Sequence, residues 1–152
     1  MQDYEARFKE LSLSLPEIPP AAGAYIPAVK SGNLVFCSGQ GPYKDGSFVY
    51  LGKVGDPLSL EEGYQAARIA ALNCLAEICT VIGSLNNIKR VVQVKGYVNS
   101  APDFYDQPKV VNGASELLLA IFGDAGKHAR CAIGTSNLPA NIPVEIEMVV
   151  EV

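Results

Sequence analysis

Residues 130–152 have the sequence RCAIGTSNLPANIPVEIEMVVEV, and the spacing of polar and apolar residues in this stretch decides the fold. From Val144 onward, apolar residues occupy every second position, with Glu145 and Glu147 between them. Successive side chains of a strand point to opposite faces, so this alternation predicts a strand with one core face and one acidic face. Just upstream, Arg130 begins a second strand-like run. An arginine beside an acid-bearing strand suggests a site for small polar acids.

The turn-forming residues 138–143 predict that these two strands form a hairpin. In a simple hairpin Arg130 would lie opposite about Glu151, and Glu145 would lie opposite about Ser136. At roughly 3.3 Å per residue, Arg130 and Glu145 would then be about 20 Å apart within one chain. We therefore expect the two charges to share a site only if they come from different protomers, in a closed ring of heterologous contacts.

The composition is that of one ordinary globular domain. The chain has 152 residues, of which 49% are hydrophobic and 18% are charged, so it has enough apolar material for a substantial core. A net charge of -4 argues against a surface for nucleic acid or an anionic membrane, because both need clustered Lys and Arg. Charged residues interrupt the N-terminal segment and no apolar run approaches about 18 residues, so neither a signal peptide nor a membrane span is expected. We expect a soluble, cytoplasmic protein.

The sequence also predicts an N-terminal extension and the state of the four cysteines. Tyr4, Phe8 and Leu11 recur at helical spacing before a proline-rich break, which predicts a short helix and a stiff link in an N-terminal extension of residues 1–20. The domain proper would then cover residues 21–152. The four cysteines lack the spacing of a metal site or a disulfide framework, so we expect free thiols at Cys37, Cys74, Cys79 and Cys131.

The predicted elements follow the order strands, helix, strand, helix and two strands. This order predicts an α+β fold with two helices packed on one face of a sheet. The helix predicted at 59–82 has a clear start, since Ser59 and Glu62 match a capping box, and Gly83 ends it. The predicted elements are a hairpin (23–30 and 33–38), a long loop (39–56) with one strand (47–51), a helix (59–82), a Val-rich central strand (88–99), a helix (109–122) and the two C-terminal strands.

Several motifs in this chain occur together in one known family. They include Ser38-Gly39-Gln40-Gly41-Pro42, then Asn112 in the second predicted helix, and finally Arg130 followed by Val144-Glu145-Ile146-Glu147. With these motifs, residues 21–152 resemble the reactive intermediate deaminase family, also called Rid or YjgF, with members labelled endoribonuclease L-PSP. The resemblance implies a chorismate-mutase-like fold, assembled as a homotrimer with small-molecule sites between protomers. It also implies hydrolysis of 2-imino or 2-enamino acids to 2-oxo acids and ammonia, without a metal or organic cofactor.

The resemblance also implies a set of site residues. By motif, the catalytic residues would be Arg130, which would anchor the substrate, and Glu145, which would position a water or move protons. A guanidinium can hold a carboxylate through two parallel N–H donors, which a lysine does not reproduce. The other substrate-binding residues would be Tyr25, Ser38 and Asn112.

Each of these residues also has a purely structural interpretation. Arg130 could form a salt bridge, and Glu145 could belong to a solvated strand face. Tyr25 could be a half-buried structural tyrosine, and Asn112 could bridge to a neighbouring backbone. Ser38 has no visible base partner, so it is a poor nucleophile.

Two further positions near Arg130 affect the expected chemistry. His128, the single histidine, could border the cleft or hydrogen-bond to the backbone. Well-studied deaminases of the family tend to have a cysteine two places after the arginine, where this chain has Ala132, with Cys131 between them. This departure leaves the preferred substrate open.

Three functions are compatible with the sequence. The first is an imine or enamine hydrolase. The second is a non-catalytic trimeric binder of small carboxylic acids, because the same residues would serve binding equally well. An endoribonuclease or translation inhibitor is a distant third, since the chain is acidic and has no basic patch.

Overall fold

A five-stranded mixed sheet forms the centre of the protein, in a computed structural model that describes residues 2–18 and 20–152. Met1 and Pro19, both within the predicted extension, lie outside the described residues. The helices are α1 (Tyr4–Glu10), α2 (Leu60–Ile82) and α3 (Gln107–Phe122), and the strands are β1 (Ala28–Ser31), β2 (Leu34–Gln40), β3 (Tyr43–Lys44), β4 (Ser47–Phe48), β5 (Lys53–Val54), β6 (Pro57–Leu58), β7 (Arg90–Asn99), β8 (Ala129–Thr135) and β9 (Val144–Glu151).

The strands of the central sheet follow the order β1-β2-β9-β7-β8. All neighbours are antiparallel except β7 and β8, which run parallel. The predicted N-terminal hairpin is confirmed, with Ser31 opposite Leu34 beside its turn. Helices α2 and α3 pack on one face of the sheet. The alternation predicted for β9 is also confirmed, because every second side chain from Val144 to Val150 is buried on the helix side.

The predicted C-terminal hairpin is wrong, because β7 lies between β8 and β9. A parallel pair needs a crossover connection, and α3 provides it by returning the chain to the start of β8. The link after β8 then passes the end of β7, where the backbone N–H of Asn99 donates to the oxygen of Pro143 at 2.8 Å. In this arrangement β7 satisfies its backbone groups on both edges, which a direct pairing of β8 with β9 would not allow.

The segment 39–56 is more structured than the predicted long loop with a strand at 47–51. Strands β3 and β4 form a small hairpin, and the strand portion of 47–51 is confined to its first two residues. The side-chain amide of Asn73 on α2 donates to the carbonyl oxygens of Gly41 and Tyr43, both at 2.9 Å. These two hydrogen bonds attach the segment to the core helix.

Helix α2 is the main core helix. The predicted capping box is confirmed, because Ser59 Oγ accepts from the Glu62 N–H at 3.1 Å and Glu62 Oε2 accepts from the Ser59 N–H at 2.8 Å. The helix ends at Gly83, whose φ is 85°. By length and composition alone α2 is apolar enough to cross a membrane, but 56% of its most apolar window is buried inside the protein, as in the core helix of a globular domain.

Helix α1, predicted from its apolar spacing, packs on α3. The ring of Tyr4 meets that of Phe122 edge to face, with centroids 4.8 Å apart, and Phe8 is buried. The carboxylate of Glu5 accepts hydrogen bonds from Ser84 Oγ and the Leu85 N–H, both at 2.9 Å. This helix is thus joined to the domain by apolar and polar contacts, while a boundary at residue 20 stays a prediction.

Helix α3 approaches its neighbours closely at two glycines. A Cβ added to Gly113 would lie 2.0 Å from the carbonyl oxygen of Tyr64 on α2. A Cβ added to Gly96 on β7 would lie 2.4 Å from a methyl carbon of Val111 on α3. Both packing contacts therefore require the absence of a side chain.

We predict that Gly113→Ala lowers the free energy of unfolding by about 2 kcal/mol or more, because overpacking outweighs the better helix propensity of alanine. Urea denaturation measures this change. Gly32→Ala is a suitable control, since nothing lies within 4 Å of the added Cβ and only the positive φ of 62° opposes it. That control should cost only about 1 kcal/mol. Equal losses for the two substitutions would contradict the predicted clash.

Candidate functional site

Arg130 lies on the edge strand β8 and is held by α3. It is in register with Val94 of β7, which is buried on the helix side of the sheet. Its Nη1 donates to Asn112 Oδ1 at 2.7 Å and to Ser115 Oγ at 3.2 Å. The two partners are three residues apart on α3 and so share a face of that helix. The structure thus brings together Arg130 and Asn112, two of the predicted site residues.

His128 extends this hydrogen-bonded group. Its Nδ1 lies 2.6 Å from the carbonyl oxygen of Gly126, and its Nε2 lies 2.9 Å from Ser115 Oγ. Because a carbonyl only accepts, Nδ1 donates to the Gly126 oxygen, and in the tautomer with no hydrogen on Nε2 that nitrogen accepts from the Ser115 hydroxyl. The oxygen of that hydroxyl is then free to accept from Arg130. His128 therefore bonds to the backbone, one of its two sequence interpretations, and also orients the serine beside the arginine.

Ser115 is a member of this group that the sequence reasoning missed. It is buried at the centre of the group and connects His128 to Arg130. Its spacing of three from Asn112, on the same helix, was the available signal.

A cavity of about 150 Å³ opens beside the bulge in β2. The register of β2 with β9 shifts between Cys37 and Gln40, and β1 covers β2 only as far as Cys37. The segment preceding β1 and the turn preceding β9 complete the walls. The residues that line the cavity include Tyr25, Gly39, Gly41, Phe48, Glu77 and Glu145.

Glu145 forms part of the wall of this cavity. Gly39 passes so close that a Cβ added to it would lie 2.9 Å from Glu145 Cδ. Burial, and to a smaller extent the charge of Glu147, raises the pKa of Glu145 above its ordinary value. A carboxyl group with a raised pKa is suited to exchange protons with a bound molecule.

Tyr25 and Ser38 belong to the same region but differ in their contacts. The ring of Tyr25 lines the cavity and is half exposed, and its hydroxyl oxygen accepts from the Ala22 N–H at 3.2 Å. The hydroxyl of Ser38 donates to the carbonyl oxygen of Ile26 at 2.9 Å, and its N–H donates to that of Pro27 at 2.7 Å. In this structure Ser38 fixes the chain that carries Tyr25 against β2.

The structure separates the two predicted catalytic residues. Val94 lies between Arg130 and Met148, so Arg130 and Glu145 differ by two strands and three residues. At about 4.8 Å between strands and about 3.3 Å per residue, their Cα atoms are roughly 14 Å apart, rather than the 20 Å or so of the expected hairpin. The odd offset also places the two side chains on opposite faces of the sheet. Within one chain, Arg130 groups with Asn112, and Glu145 with Tyr25.

The sheet face opposite α2 and α3 combines a polar centre with exposed apolar side chains. The Tyr97 hydroxyl donates to Glu147 Oε1 at 3.0 Å, and Lys95 Nζ lies 3.5 Å from the same oxygen. Burial, together with the bond to Glu147, raises the pKa of Tyr97 to about 12. The large exposed apolar side chains of this face are Val29 on β1, Phe36 on β2 and Ile133 on the opposite edge strand β8.

The cysteines are free thiols, as predicted. Ala132 is in register with Gly96 and faces the helix side, while Cys131 is in register with Lys95 and faces the opposite side. Arg130 therefore has no thiol next to it on its own face of β8. Within residues 2–18 and 20–152, no three His, Cys, Asp or Glu side chains are grouped so that they could hold a metal ion.

Comparison with known proteins finds a family model and sequence relatives that match most of this chain. The family model described as "YjgF/chorismate_mutase-like, putative endoribonuclease" matches residues 5–152. Protein TCP17 of Trypanosoma cruzi is 40% identical over 147 residues, which cover 96% of this chain and 92% of that protein. The mitochondrial protein MMF1 of Saccharomyces cerevisiae is 28% identical over 131 residues, covering 86% and 77% of the two chains.

A solved structure agrees with these sequence relationships. The crystal structure of a putative endoribonuclease from Shewanella oneidensis MR-1 is 35% identical, with a TM-score of 0.96, and covers 99% of this chain and 100% of that one. The α+β arrangement of helices on a mixed sheet is thus the chorismate-mutase-like fold of that family. The chain belongs to the YjgF/chorismate-mutase-like family described as putative endoribonucleases, which confirms the resemblance to Rid proteins that its motifs indicated.

Proposed function

We propose that this protein hydrolyses 2-imino or 2-enamino acids to 2-oxo acids and ammonia, in clefts between the protomers of a homotrimer. The observation that supports this most is the division of the site residues into two groups on opposite faces of one sheet. One group offers a cation, Arg130 on an edge strand, and the other offers an acid and an aromatic wall, Glu145 and Tyr25. A ring of heterologous contacts would bring the arginine of one protomer to the acidic cavity of the next.

The exposed apolar surface is compatible with such a ring. Val29 and Ile133 are each 47% exposed, and they lie on the two edge strands of the sheet, β1 and β8. Covering these side chains with a neighbouring protomer would remove apolar surface from water and stabilise the assembly.

The chemistry needs only groups that the two halves supply. Arg130 binds the substrate carboxylate, and its bonds to Asn112 and Ser115 restrict its orientation. Glu145, as a carboxylate, takes a proton from a water that attacks the imine carbon and passes it to the imine nitrogen, so a C–O bond forms and the C=N bond becomes single. The new hydroxyl group then gives its proton to Glu145, which transfers it to the nitrogen, so the C–N bond breaks, the C=O bond forms and ammonia leaves. Imine and water are converted to 2-oxo acid and ammonia without oxidation or reduction.

A non-catalytic binder of small carboxylic acids is the alternative. Two observations favour it: the Ser38 hydroxyl donates to a backbone carbonyl, and Ala132 stands where the best-studied deaminases tend to have a cysteine. An endoribonuclease or translation inhibitor stays third, because the net charge is -4 and RNA binding depends on basic side chains.

For location we propose the cytoplasm; the yeast relative is a mitochondrial protein, so cell fractionation is the direct test.

The first prediction from the proposed function concerns turnover. When an amino-acid oxidase or dehydratase generates imines, the wild-type protein should accelerate 2-oxo acid release. Arg130→Ala should lower kcat/KM about tenfold or more, because it removes charged hydrogen bonds to the substrate. Arg90→Ala is the matched control, since Arg90 is exposed and outside both groups. If no imine is accelerated while 2-oxo acids still bind and raise Tm, the binder is the correct function. RNA cleavage that survives Arg130→Ala would contradict both.

The second prediction tests whether a site combines two protomers. Arg130→Ala and Glu145→Gln should each be nearly inactive alone. After the two variants are dissociated, mixed in equal amounts and reassembled, about one quarter of the heterologous sites should contain both native residues. Activity should recover to that fraction of the wild-type value. Light scattering should give the mass of a trimer, and no recovery in mixed trimers would show that both residues act within one protomer.

The third prediction concerns pH. Because the pKa of Glu145 is raised, its carboxylate forms at a higher pH than that of an ordinary glutamate. If this carboxylate is the base, kcat/KM should rise with pH through the raised pKa. Glu147→Gln removes a neighbouring negative charge, so it should shift the acid limb of the pH profile to lower pH. Glu10→Gln, an exposed change on α1, should leave the profile unchanged. An acid limb that does not respond to Glu147→Gln would argue against Glu145 as the base.

A further inference from the structure

Two buried side-chain oxygen atoms on α2 lack a hydrogen-bond partner, and one of them belongs to a residue that lines the cavity beside Tyr25. Glu77 and Asn73 lie one turn apart on α2 and are 1% and 0% exposed. In the part of the chain that the structure describes, Glu77 Oε1 and Asn73 Oδ1 are the buried side-chain oxygens or nitrogens that lack a partner. Glu77 itself lines the cavity.

The orientation of Asn73 is determined by its other contacts. Its amide nitrogen donates to the carbonyl oxygens of Gly41 and Tyr43. Rotating the amide by 180° would place its oxygen against these two carbonyls, so Oδ1 has to be the free acceptor. A buried acceptor without a donor costs about 1–3 kcal/mol, so a donor that reached either oxygen would be stabilising.

The charge of the cavity restricts what that donor can be. Two carboxyl groups, Glu77 and Glu145, line it, and none of its described lining residues is Lys, Arg or His. The aromatic rings of Tyr25 and Phe48 provide further wall surface, and aromatic faces attract cations. Burial raises the pKa of Glu77 in the free protein, so a nearby positive charge would favour the ionised form. A small cation with N–H donors matches both the charge and the free acceptors.

We propose that the inner end of this cavity is a subsite for a protonated nitrogen, a primary ammonium or iminium group, with Glu77 as its counter-ion and Asn73 Oδ1 as its second acceptor. The subsite adds a binding group to the proposed function. It rests on that function only for the identity of its natural ligand. A 2-imino acid whose carboxylate is bound by Arg130 of the next protomer would direct its nitrogen to this end, where Glu77 would also hold the ammonium that forms. Glu145 would remain the group that acts on water.

The test uses methylammonium chloride as the probe, with NaCl replaced mole for mole to keep the ionic strength constant. Amide resonances of Gly39 and Gly41, which line the cavity, should shift and saturate in the wild-type protein. Glu77→Gln keeps the shape and removes the charge, and it should weaken binding about tenfold or more. Glu61→Gln, the same change at an exposed position of α2, should leave binding unchanged. Tetramethylammonium, which has no N–H, should bind more weakly than methylammonium.

The possible outcomes separate the subsite from a simpler arrangement. Glu77 could instead carry a proton and donate it to Asn73, which would satisfy both oxygens without a ligand. In that case wild-type protein would show no saturable shifts, and the subsite is refuted. Equal binding to wild type and Glu77→Gln would also refute it. A urea denaturation of each variant checks that it is folded.

The result is independent of turnover. If methylammonium binds through Glu77 but no imine is hydrolysed, the subsite stands and the proposed hydrolase does not. If imines are hydrolysed equally by wild type and Glu77→Gln, and methylammonium does not bind, the hydrolase stands and the subsite does not.

Discussion

The pairing of strand β7 along both of its edges is the constraint on which the rest of this structure depends. β9 bonds to one edge and β8 to the other, and α3 supplies the crossover that a parallel β7–β8 pair requires. That crossover packs against β7 so closely that Gly96 meets Val111 with no room for a side chain. The same helix carries the groups that orient Arg130. The pairing of β7 therefore determines the sheet topology, the packing of α3 and the position of Arg130.

The register of β7 also explains why one chain has two incomplete groups. Val94 places Arg130 on the helix side of the sheet, and Tyr97 places Glu145 on the other. The period of two in a strand makes this separation absolute for an odd offset, whatever rotamers the side chains adopt. Each group is ordered by its own hydrogen bonds or packing before any ligand arrives. The proposed site would combine surfaces from two copies.

Buried polar side chains on α2 have a different role from its apolar ones. Leu75 and Ile78 contribute to the core, while Asn73 uses its amide hydrogens to attach the segment that closes the cavity. Glu77 adds a carboxyl group to the same wall. An apolar residue would be easier to bury at that position, and the proposed subsite gives a reason for the carboxyl group there.

The sequence by itself determined the local features: the capping box at Ser59, the C-terminal ends of α2 and α3, the N-terminal hairpin and the alternation of β9. These depend on hydrogen bonds and side-chain periodicity within a few residues. Motifs also indicated the family, and they selected Arg130, Asn112, Tyr25 and Glu145. Only the tertiary structure decided that β7 separates β8 from β9, that Ser115 and His128 support Arg130, and that Glu77 reaches the cavity. Such contacts join residues far apart in the chain, and neither turn signals nor periodicity specifies which strand takes which neighbour.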